Sequence, residues 1–377
     1  MKAVYVVADN IISPLGASTG DNFSQLLRGE SNVKKQHAGS KSPVPFCASL
    51  FSETFWQQHS TPAFTRFEQL LAMTISNVLV QTKVDLSDKR TGLIISSTKG
   101  NISLLEGQEV SQQLKHDINL NTTAKKIAAH FGFTAQPVIV SHACISGLAA
   151  LITAKRMLQA GLFDDMIIVG ADIITRFILS GFQSFQAVSS EPCKPFDADR
   201  KGINLGEAAV AVVLSVHKPG TEKVIELKGG AVSNDANHIS GPSRTGKELF
   251  FAMQQAMRQA GVTASDINFI SLHGTATLYN DDMESKAVKL AGLEDIPVNS
   301  LKGYYGHTLG AAGLLESVIS IQSLKENMII PTKGFNTPGT AENINVCRAL
   351  RHAELTTCLK TASGFGGCNA AIVLEKI

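Results

Sequence analysis

Cys144 is the residue of this sequence with the most distinctive chemical setting. It follows an apolar run, Val138–Val140, that is typical of a buried strand, and it precedes Ser146 and Gly147 at the start of a helical pattern. The positive end of a helix lowers the pKa of a nearby thiol, and its free N–H groups can hold an oxyanion. The position therefore favours a nucleophilic cysteine, although cysteine is also a common buried residue.

Two histidines occupy positions where they could act on the same reacting group. His273 opens the segment His273-Gly-Thr-Ala-Thr277, just after an apolar run at 269–271. Open α/β sheets bind ligands beside the carboxyl ends of their strands, and an imidazole there can donate a hydrogen bond or transfer a proton. His307 lies in a segment, 302–313, that is rich in glycine and alanine and so lets a helix pack closely against another backbone. A lone histidine is more often structural, so the surroundings of these two carry the argument.

A glycine turn near the end of the chain, Ser363-Gly-Phe-Gly-Gly367, carries one bulky ring. It could be a plain hairpin-like turn. As a functional element, it could present a backbone N–H to an oxyanion, with Phe365 as a movable cover. Both interpretations remain open from the sequence.

The elements that would position these residues alternate along the chain. Apolar runs typical of buried strands lie at 93–96, 138–140, 166–169, 210–214, 269–271 and 371–374, after a first strand at 4–7. Helical patterns lie at 67–80, 145–160, 249–260 and 311–325. This alternation predicts mostly parallel sheets covered by helices. Pro219-Gly220 marks a boundary near the middle, so we expect one unit at 1–218 and a second at 219–377.

An internal repeat links the thiol to one of the imidazoles. Cys144-Ile-Ser-Gly-Leu-Ala-Ala-Leu aligns with His307-Thr-Leu-Gly-Ala-Ala-Gly-Leu, and both continue into helical patterns. Gly206 and Gly367 follow at nearly equal separations, each entering a final strand. Matching landmarks predict two copies of one α/β unit whose helix N-termini face a shared site.

Composition excludes several other classes of protein. The 377 residues are 44% hydrophobic with a net charge of +2 and no long basic block, which argues against nucleic-acid binding. Asp9 interrupts the apolar N-terminus, and Pro137 breaks the longest uncharged stretch, so we expect neither a signal peptide nor membrane insertion. Glu248 follows the phosphate-loop-like spacing at 241–247 and argues against nucleotide binding. The six cysteines lack C-x-x-C pairs and zinc-ligand spacing, which indicates no disulfides, no metal and a cytoplasmic location.

Taken together, the motifs resemble those of the β-ketoacyl-acyl carrier protein synthases of the thiolase-like superfamily. The resemblance runs almost end to end, and the order of the pieces is specific to that family. The matching pieces are Ser13-Pro-Leu-Gly16, Ala143-Cys144, Pro195-Phe-Asp-Ala-Asp-Arg200, Gly206-Glu207, Asp235-Ala-Asn-His238, His273-Gly-Thr with Asp281 and Glu284, Lys302, Gly306-His307, Gly310-Ala-Ala-Gly313 with Glu316, and Gly364-Phe-Gly-Gly367.

The resemblance implies a five-layered αβαβα fold and a Cys-His-His active site. Cys144 would be the nucleophile, and its N–H and that of Phe365 would form the oxyanion hole. His273 and His307 would bind a malonyl thioester and stabilise the enolate left by decarboxylation. Lys302 and Glu284 would be the pair that orders the site, and Phe365 would be the gate between acylation and condensation. The substrate would contact four further residues: Thr275, Thr277, Gly364 and Gly366.

The same resemblance implies an acyl carrier protein as partner, a homodimer, and no cofactor beyond the 4′-phosphopantetheine that the carrier bears. Several residues depart from the family pattern. Asp9-Asn10 replaces a Thr-Gly turn, Ser363 stands where an aromatic is common, and Gln186 stands where an arginine often docks the carrier. The departures leave acyl length, and the choice between fatty-acid and polyene or polyketide synthesis, open.

Two other functions compete with that of a condensing enzyme. A chain-length-factor-like partner subunit would resemble a synthase but lack the nucleophile, so Cys144 argues against it. A thiolase would use a second cysteine, for which Cys368 is the candidate. Cys368 leads into an apolar run, so we expect a packed core cysteine there instead.

Overall fold

The computed structural model describes residues 2–39, 41–220, 222–236 and 241–377. The α-helices within these residues are α1 Thr19–Leu27, α2 Glu53–His59, α3 Arg66–Leu79, α4 Gln112–Asp117, α5 Leu120–Phe131, α6 Ser146–Gln159, α7 Arg176–Ser184, α8 Lys247–Ala260, α9 Leu278–Leu290, α10 Lys302–Tyr305 and α11 Ala312–Glu326. The strands are β1 Tyr5–Ile12, β2 Lys34–Gln36, β3 Phe46–Ser49, β4 Thr91–Ser96, β5 Val138–Val140, β6 Asp165–Asp172, β7 Leu205–Gly206, β8 Ala208–Ser215, β9 Ile225–Asn234, β10 Phe269–Ser271, β11 Val298–Asn299, β12 Met328–Ile329, β13 Arg351–His352, β14 Thr357–Gly364 and β15 Cys368–Lys376.

Ten of these strands form one sheet whose order repeats itself. The order is β11-β10-β14-β15-β9-β1-β8-β6-β4-β5. Read outward from the β1–β9 junction, both halves place their strands in the same sequence of chain positions, so β5 corresponds to β11 and β8 to β15. The junction itself is short, with Tyr5 opposite Glu226 and Val6 opposite Ile225. The duplication predicted from the Cys144 and His307 segments is confirmed, because those segments follow β5 and β11.

Helices cover both faces of each half-sheet. Along β4, Leu93 and Ile95 pack outward with α3 and α5, whereas Ile94 packs inward with α6 and α11. Strands covered on both faces read as continuous apolar runs, and this is why their sequence lacks alternation. In the second half, α8 and α9 cover the outer face in the same way. The layers are therefore αβαβα, and the predicted five-layered fold is confirmed.

Close contact between the two central helices depends on glycine. A Cβ on Gly147 would lie 2.6 Å from the backbone nitrogen of Leu314, and one on Gly313 would lie 2.7 Å from that of Leu148. These distances are shorter than a packed carbon tolerates, so only glycine allows α6 and α11 to approach this closely. The contact brings the N-terminal ends of the two helices to a common point.

The expectation of mostly parallel sheets is wrong. Within the ten-stranded sheet, four neighbouring pairs are parallel and five are antiparallel. For one of these pairs the physical reason is the connection: β14 turns directly into β15 through 364–368, and a tight turn forces an antiparallel pair. The predicted strands and helices agree with observed ones, but many other elements were not predicted, the longest of them α5, α9, β9 and β14. The domain boundary at 218/219 stays a prediction.

In the part of the chain that the structure describes, no helix combines the length and apolar character needed to cross a bilayer.

Candidate active site

A strained turn presents Cys144 at the start of α6. Ala143 has a φ of 45°, a left-handed conformation that is uncommon outside glycine. Ser146 stabilises this turn, since its Oγ accepts from the His142 N–H at 2.7 Å and donates to the Ala143 carbonyl at 2.6 Å. The turn directs the Cys144 side chain into an internal cavity instead of along the helix.

Two cavities meet at this cysteine. The first has a volume of about 470 Å³ and is lined by Cys144, His273 and His307, together with Thr275 and Thr277. The second, of about 780 Å³, reaches the same thiol from the side of Ile102, Leu105 and Phe177. Phe182, Phe185 and Phe365 line both cavities. A substrate can therefore approach the sulfur from two directions.

The three predicted catalytic side chains converge. The Cys144 sulfur and one ring nitrogen from each of His273 and His307 all lie within 4.8 Å of one another. The two imidazoles meet edge to face, with ring centroids 5.0 Å apart. All three residues are buried, so they form one water-poor site in which hydrogen bonds and charges act strongly.

Hydrogen bonds fix the tautomer of His307. Its Nδ1 accepts from the backbone N–H of Leu309 at 3.1 Å, so the ring proton is assigned to Nε2. Nε2 is buried and has no hydrogen-bond partner among the described residues. The backbone of His307 is held by the first half of the chain, through the Asn204 carbonyl at 2.7 Å and the Gly206 N–H at 3.0 Å. A fixed N–H to which no described residue is hydrogen-bonded therefore points into the cavity.

His273 has a matching arrangement. Lys302 Nζ lies 3.4 Å from its Nδ1 and donates to its carbonyl at 3.0 Å. A cation at Nδ1 places the ring proton on Nε2, as in His307. Burial, and then the charge of Lys302, hold the pKa of both imidazoles well below the usual value. Both rings are therefore neutral hydrogen-bond donors at physiological pH.

The expected pairing of Lys302 with Glu284 is wrong in its geometry. Lys302 pairs with Glu316, which is buried on α11. Glu284 instead accepts from the backbone N–H groups of His273 at 2.7 Å and Gly274 at 2.6 Å. Burial raises the pKa of Glu284 to about 7. The lysine thus acts on the His273 ring and the carboxyl acts on its backbone, as two separate supports.

The thiol does not have the lowered pKa that its helix position predicted. Burial raises the pKa of Cys144 to about 11, and the charge of Lys302 and a backbone hydrogen bond from Phe365 oppose this only in part. The helix terminus is evident from the sequence, whereas the depth of the site is not. Cys144 is therefore a neutral thiol before substrate binds, and the sulfur becomes anionic only when its proton leaves during reaction.

The glycine turn lies against the nucleophile as predicted. A Cβ on Gly364 would lie 2.9 Å from the Cys144 backbone nitrogen, so the two backbones are in contact. The Phe365 N–H faces the sulfur. The ring of Phe365 packs against Phe182 and Phe185, with centroids 5.6 and 5.3 Å away. The arrangement suits an oxyanion site with a cover, and both roles stay predictions.

Some of the remaining predicted site residues line a cavity and others do not. Thr275 and Thr277 line the first cavity, and their hydroxyls lie 2.8 Å apart. Gly366 is not among the lining residues of either cavity; it supplies a φ of 84° to the turn. Gln186 and Ser363, two of the departures from the family pattern, both line the first cavity. Of the motif at 235–238, Asn237 and His238 lie outside the described residues.

Two buried charged residues near the site were missed from sequence. Asp172, at the end of β6, accepts from the Gly310 N–H at 2.7 Å and from the Ser97 hydroxyl at 2.8 Å. It therefore ties the first half of the chain to the turn after His307. Lys360, on β14, lies 2.7 Å from a Glu316 oxygen. A lysine between Leu359 and Thr361, in a segment that is otherwise free of charge, was the available signal for the second.

Comparison with known proteins settles the family. Residues 1–219 match the family model described as the beta-ketoacyl synthase N-terminal domain, and residues 224–336 match the one for the C-terminal domain. The chain belongs to the beta-ketoacyl synthase family. It is accordingly an enzyme, an acyltransferase that forms carbon–carbon bonds by condensation, and neither the partner-subunit nor the thiolase alternative is favoured.

The relatives span the whole chain. A 3-oxoacyl-[acyl-carrier-protein] synthase 2 of Rhizobium meliloti is 29% identical over 418 residues, covering 100% of this chain and 99% of the relative. Its namesake in Vibrio cholerae is 28% identical over 413 residues, with the same coverage. Among solved structures, a ketosynthase in complex with its chain length factor from Xenorhabdus doucetiae has a TM-score of 0.88 at 24% identity, covering 100% of this chain and 98% of that one. The ishigamide ketosynthase/chain length factor has a TM-score of 0.89 at 23% identity, covering 100% and 99%.

Proposed function

We propose that Cys144 carries an acyl group taken from an acyl carrier protein, and that His273 and His307 drive its condensation with a malonyl carrier. One observation carries this proposal: the buried Nε2–H of His307, which has no hydrogen-bond partner in the described part of the chain, lies beside the sulfur and beside a second neutral imidazole. Donors that are fixed and desolvated before reaction suit an oxygen on which negative charge develops.

In the first step, the Cys144 sulfur attacks the thioester carbonyl of the acyl carrier. The sulfur–carbon bond forms, the carrier's sulfur leaves, and it takes up the proton that the Cys144 thiol releases. The backbone N–H groups of Cys144 and Phe365 would hold the oxyanion of the tetrahedral intermediate. Because burial raises the pKa of the free thiol to about 11, proton loss has to be coupled to attack.

In the second step, a malonyl carrier occupies the first cavity with its thioester oxygen at the two imidazoles. The carbon–carbon bond to the carboxylate breaks, carbon dioxide leaves, and its electron pair forms an enolate. His273 and His307 donate to that enolate oxygen through Nε2. Loss of one such donor in other enzymes costs about 3–4 kcal/mol of transition-state stabilisation. The carbanion then attacks the acyl carbon, and Cys144 leaves and regains a proton from solvent, which gives a 3-oxoacyl product.

We further propose that the reaction needs no metal ion or nucleotide and that the pantetheine arm arrives on the carrier. Two of the relatives named above are 3-oxoacyl-[acyl-carrier-protein] synthases, which supports this partner. Exhaustive dialysis against EDTA should leave the condensation rate unchanged. A rate that falls with EDTA and returns with a divalent ion would contradict the proposal.

A homodimer in the cytoplasm is the state we propose for the chain. The strand β5 ends the ten-stranded sheet, so one of its edges has no neighbouring strand among the residues that the structure describes, and its apolar residues are only half-buried. Such an edge is suited to pairing with a second copy. All six cysteines are free and buried, which fits a reducing compartment. Sedimentation of the purified chain should give twice the mass of the monomer, and replacement of Ile139 by lysine should shift it to the monomer.

Intact-mass spectrometry tests the central proposal. The chain is incubated with acyl carriers of several lengths and degrees of unsaturation, and the added mass is read directly. We expect one acyl group per chain and none in Cys144→Ala. Cys368→Ala, which alters the neighbouring buried thiol, is the matched control and should still be acylated. No adduct from any carrier would sink the proposal, and so would an adduct that survives in Cys144→Ala.

A further inference from the structure

We propose that Lys360 is a second buried cation of the active site, a positioning residue that orients His273 and adds positive charge behind both imidazoles. The inference deepens the proposed function, on which it rests. It concerns a side chain that lines neither cavity and therefore touches no substrate.

The contacts of Lys360 point it at the strand that ends in His273. Its side chain is fully buried on β14, and its Nζ donates to the carbonyls of Ser271 at 3.1 Å, Leu272 at 3.3 Å and Thr361 at 2.6 Å. Ser271 and Leu272 are the two residues before His273. The ammonium thus fixes the backbone from which the imidazole projects.

These contacts also define the protonation state of Lys360. Three carbonyl oxygens consume three N–H donors, and only the ammonium form has three. A neutral amine would turn its lone pair towards one of those carbonyls. Burial lowers the pKa of Lys360, and the charge of Glu316 opposes that shift. The hydrogen-bond count and the adjacent carboxylate both favour the charged form.

The cluster formed by Lys302, Glu316 and Lys360 has more positive than negative charge. Glu316 lies between two ammonium groups, with Lys302 at one carboxylate oxygen and Lys360 2.7 Å from the other. The second contact joins two buried, oppositely charged groups, so it is an ion pair. Two cations sharing one anion leave a net positive charge behind the imidazoles.

The other titratable groups around the imidazoles oppose this charge only in part. Glu284 faces the His273 backbone from α9, and burial raises its pKa to about 7. Cys144 faces both rings as a neutral thiol, and Asp172 binds the turn after His307. Positive charge near Nδ1 disfavours imidazolium and strengthens the Nε2–H as a donor. It would therefore stabilise an enolate more than it assists acylation.

The variant Lys360→Met tests this inference, because methionine is similar in length and carries no charge. We expect the decarboxylation and condensation of malonyl carrier to fall 10- to 100-fold. Acylation of Cys144, followed by intact mass, should stay within about threefold. Lys155→Met, which removes a buried lysine that bonds to Gln159 on α6 away from the site, is the matched control and should change neither rate.

A histidine titration separates an electrostatic role from a merely structural one. With ¹³C-labelled histidine, signals assigned through His273→Ala and His307→Ala should not titrate between pH 5 and 8 in the wild type. In Lys360→Met at least one of them should titrate at a higher pH than in the wild type. Equal losses in both half-reactions with unchanged titrations would overturn the inference. If the wild type neither acylates nor condenses, the proposed function fails, while the titration still decides the role of Lys360.

A double variant tests the shared carboxylate. Glu316→Gln leaves two buried ammonium groups without their anion, so we expect a marked loss of Tm. Adding Lys360→Met removes one of the two repelling cations and should restore part of that loss. Losses that simply add would show that the two lysines do not share Glu316, and would contradict the charge argument.

Discussion

The two strand–turn–helix units that meet at the cavity are built alike and differ in their electrostatic surroundings. Each places a residue of positive φ just before its functional side chain, Ala143 with a φ of 45° before Cys144 and Gly306 with a φ of 68° before His307. Both then continue into one of the two central helices. The shared backbone geometry explains why a thiol and an imidazole from distant parts of the chain converge.

The difference lies in what stands behind each side chain. Lys302, Glu316 and Lys360 are buried on the histidine side. Behind Cys144, the helix α6 presents Leu148, Ala149 and Ala150, which are apolar. One copy therefore keeps its nucleophile neutral, and the other keeps its donors neutral beside positive charge. The repeated backbone sets the two positions, and the placement of buried charge distinguishes them.

The largest expected effect on rate comes from removing one hydrogen-bond donor, the imidazole of His307, from the half that contains the buried charges. His307→Ala should lower the condensation rate about 10²- to 10³-fold, because one fixed donor to the enolate oxygen is lost. Acylation of Cys144 should persist at a reduced rate. His142→Ala is the control, since that histidine is exposed beside the nucleophile turn and should leave condensation unchanged. Equal loss of acylation and condensation would contradict the division of labour.

The next largest effect is a slow alkylation of Cys144, which follows from the neutral state of its thiol. With a pKa of about 11, against an ordinary value near 8.5, Cys144 should react with iodoacetamide about 10- to 100-fold more slowly at pH 7 than a free thiol. The raised pKa means that the thiolate fraction keeps growing with pH. The alkylation rate, followed by mass, should therefore rise up to pH 10 without a plateau. A plateau below pH 8 would show that the helix terminus outweighs burial.

These two predictions mark what sequence could and could not supply. The positions of Cys144, His273 and His307 followed from motifs and a repeat, because a duplicated unit repeats its landmarks along the chain. The pKa of the thiol did not follow, because depth in the fold is a property of all the surrounding chain. The partner of Lys302 was mistaken for the same reason: Glu284 and Glu316 are both near in sequence, and only the fold decides which carboxylate the ammonium reaches.

The elements show the same division. Apolar runs covered by helices on both sides, such as β4 and β8, were evident from composition. The strand β14 was missed because Lys360 and two threonines interrupt its apolar character. The predicted direction of neighbouring strands was wrong because that direction depends on the path that each connection takes in the fold. Local pattern therefore predicted elements, while charge placement and strand direction required the tertiary structure.

The contact between α6 and α11, the central helices of the two repeated halves, can be disturbed without a change in any catalytic group. In Gly147→Ala, the new carbon would lie 2.6 Å from the Leu314 backbone nitrogen, so α6 and α11 must move apart. We expect the free energy of unfolding to fall by about 1–3 kcal/mol. Gly181→Ala, in the exposed helix α7 with nothing within 4 Å, should instead be neutral or stabilising by up to about 1 kcal/mol. Chemical denaturation measures both, and a Gly147→Ala as stable as the wild type would refute the close-contact argument.

The smallest effect concerns the ring that stands between the two cavities. Phe365 lines both and packs against Phe182 and Phe185, so Phe365→Ala would join the cavities and admit water to the acyl-cysteine. We expect hydrolysis of acyl-Cys144 to rise on the order of tenfold relative to condensation, because exclusion of water is what a cover provides. The measurement is the ratio of free acid to 3-oxoacyl product. Phe251→Ala, an exposed phenylalanine on α8, should leave that ratio unchanged. If Phe365→Ala slows acylation and condensation equally and produces no free acid, the ring serves packing alone. The difference between the acylation step at Cys144 and the condensation step at the histidines would then depend on the buried charges and not on a gate.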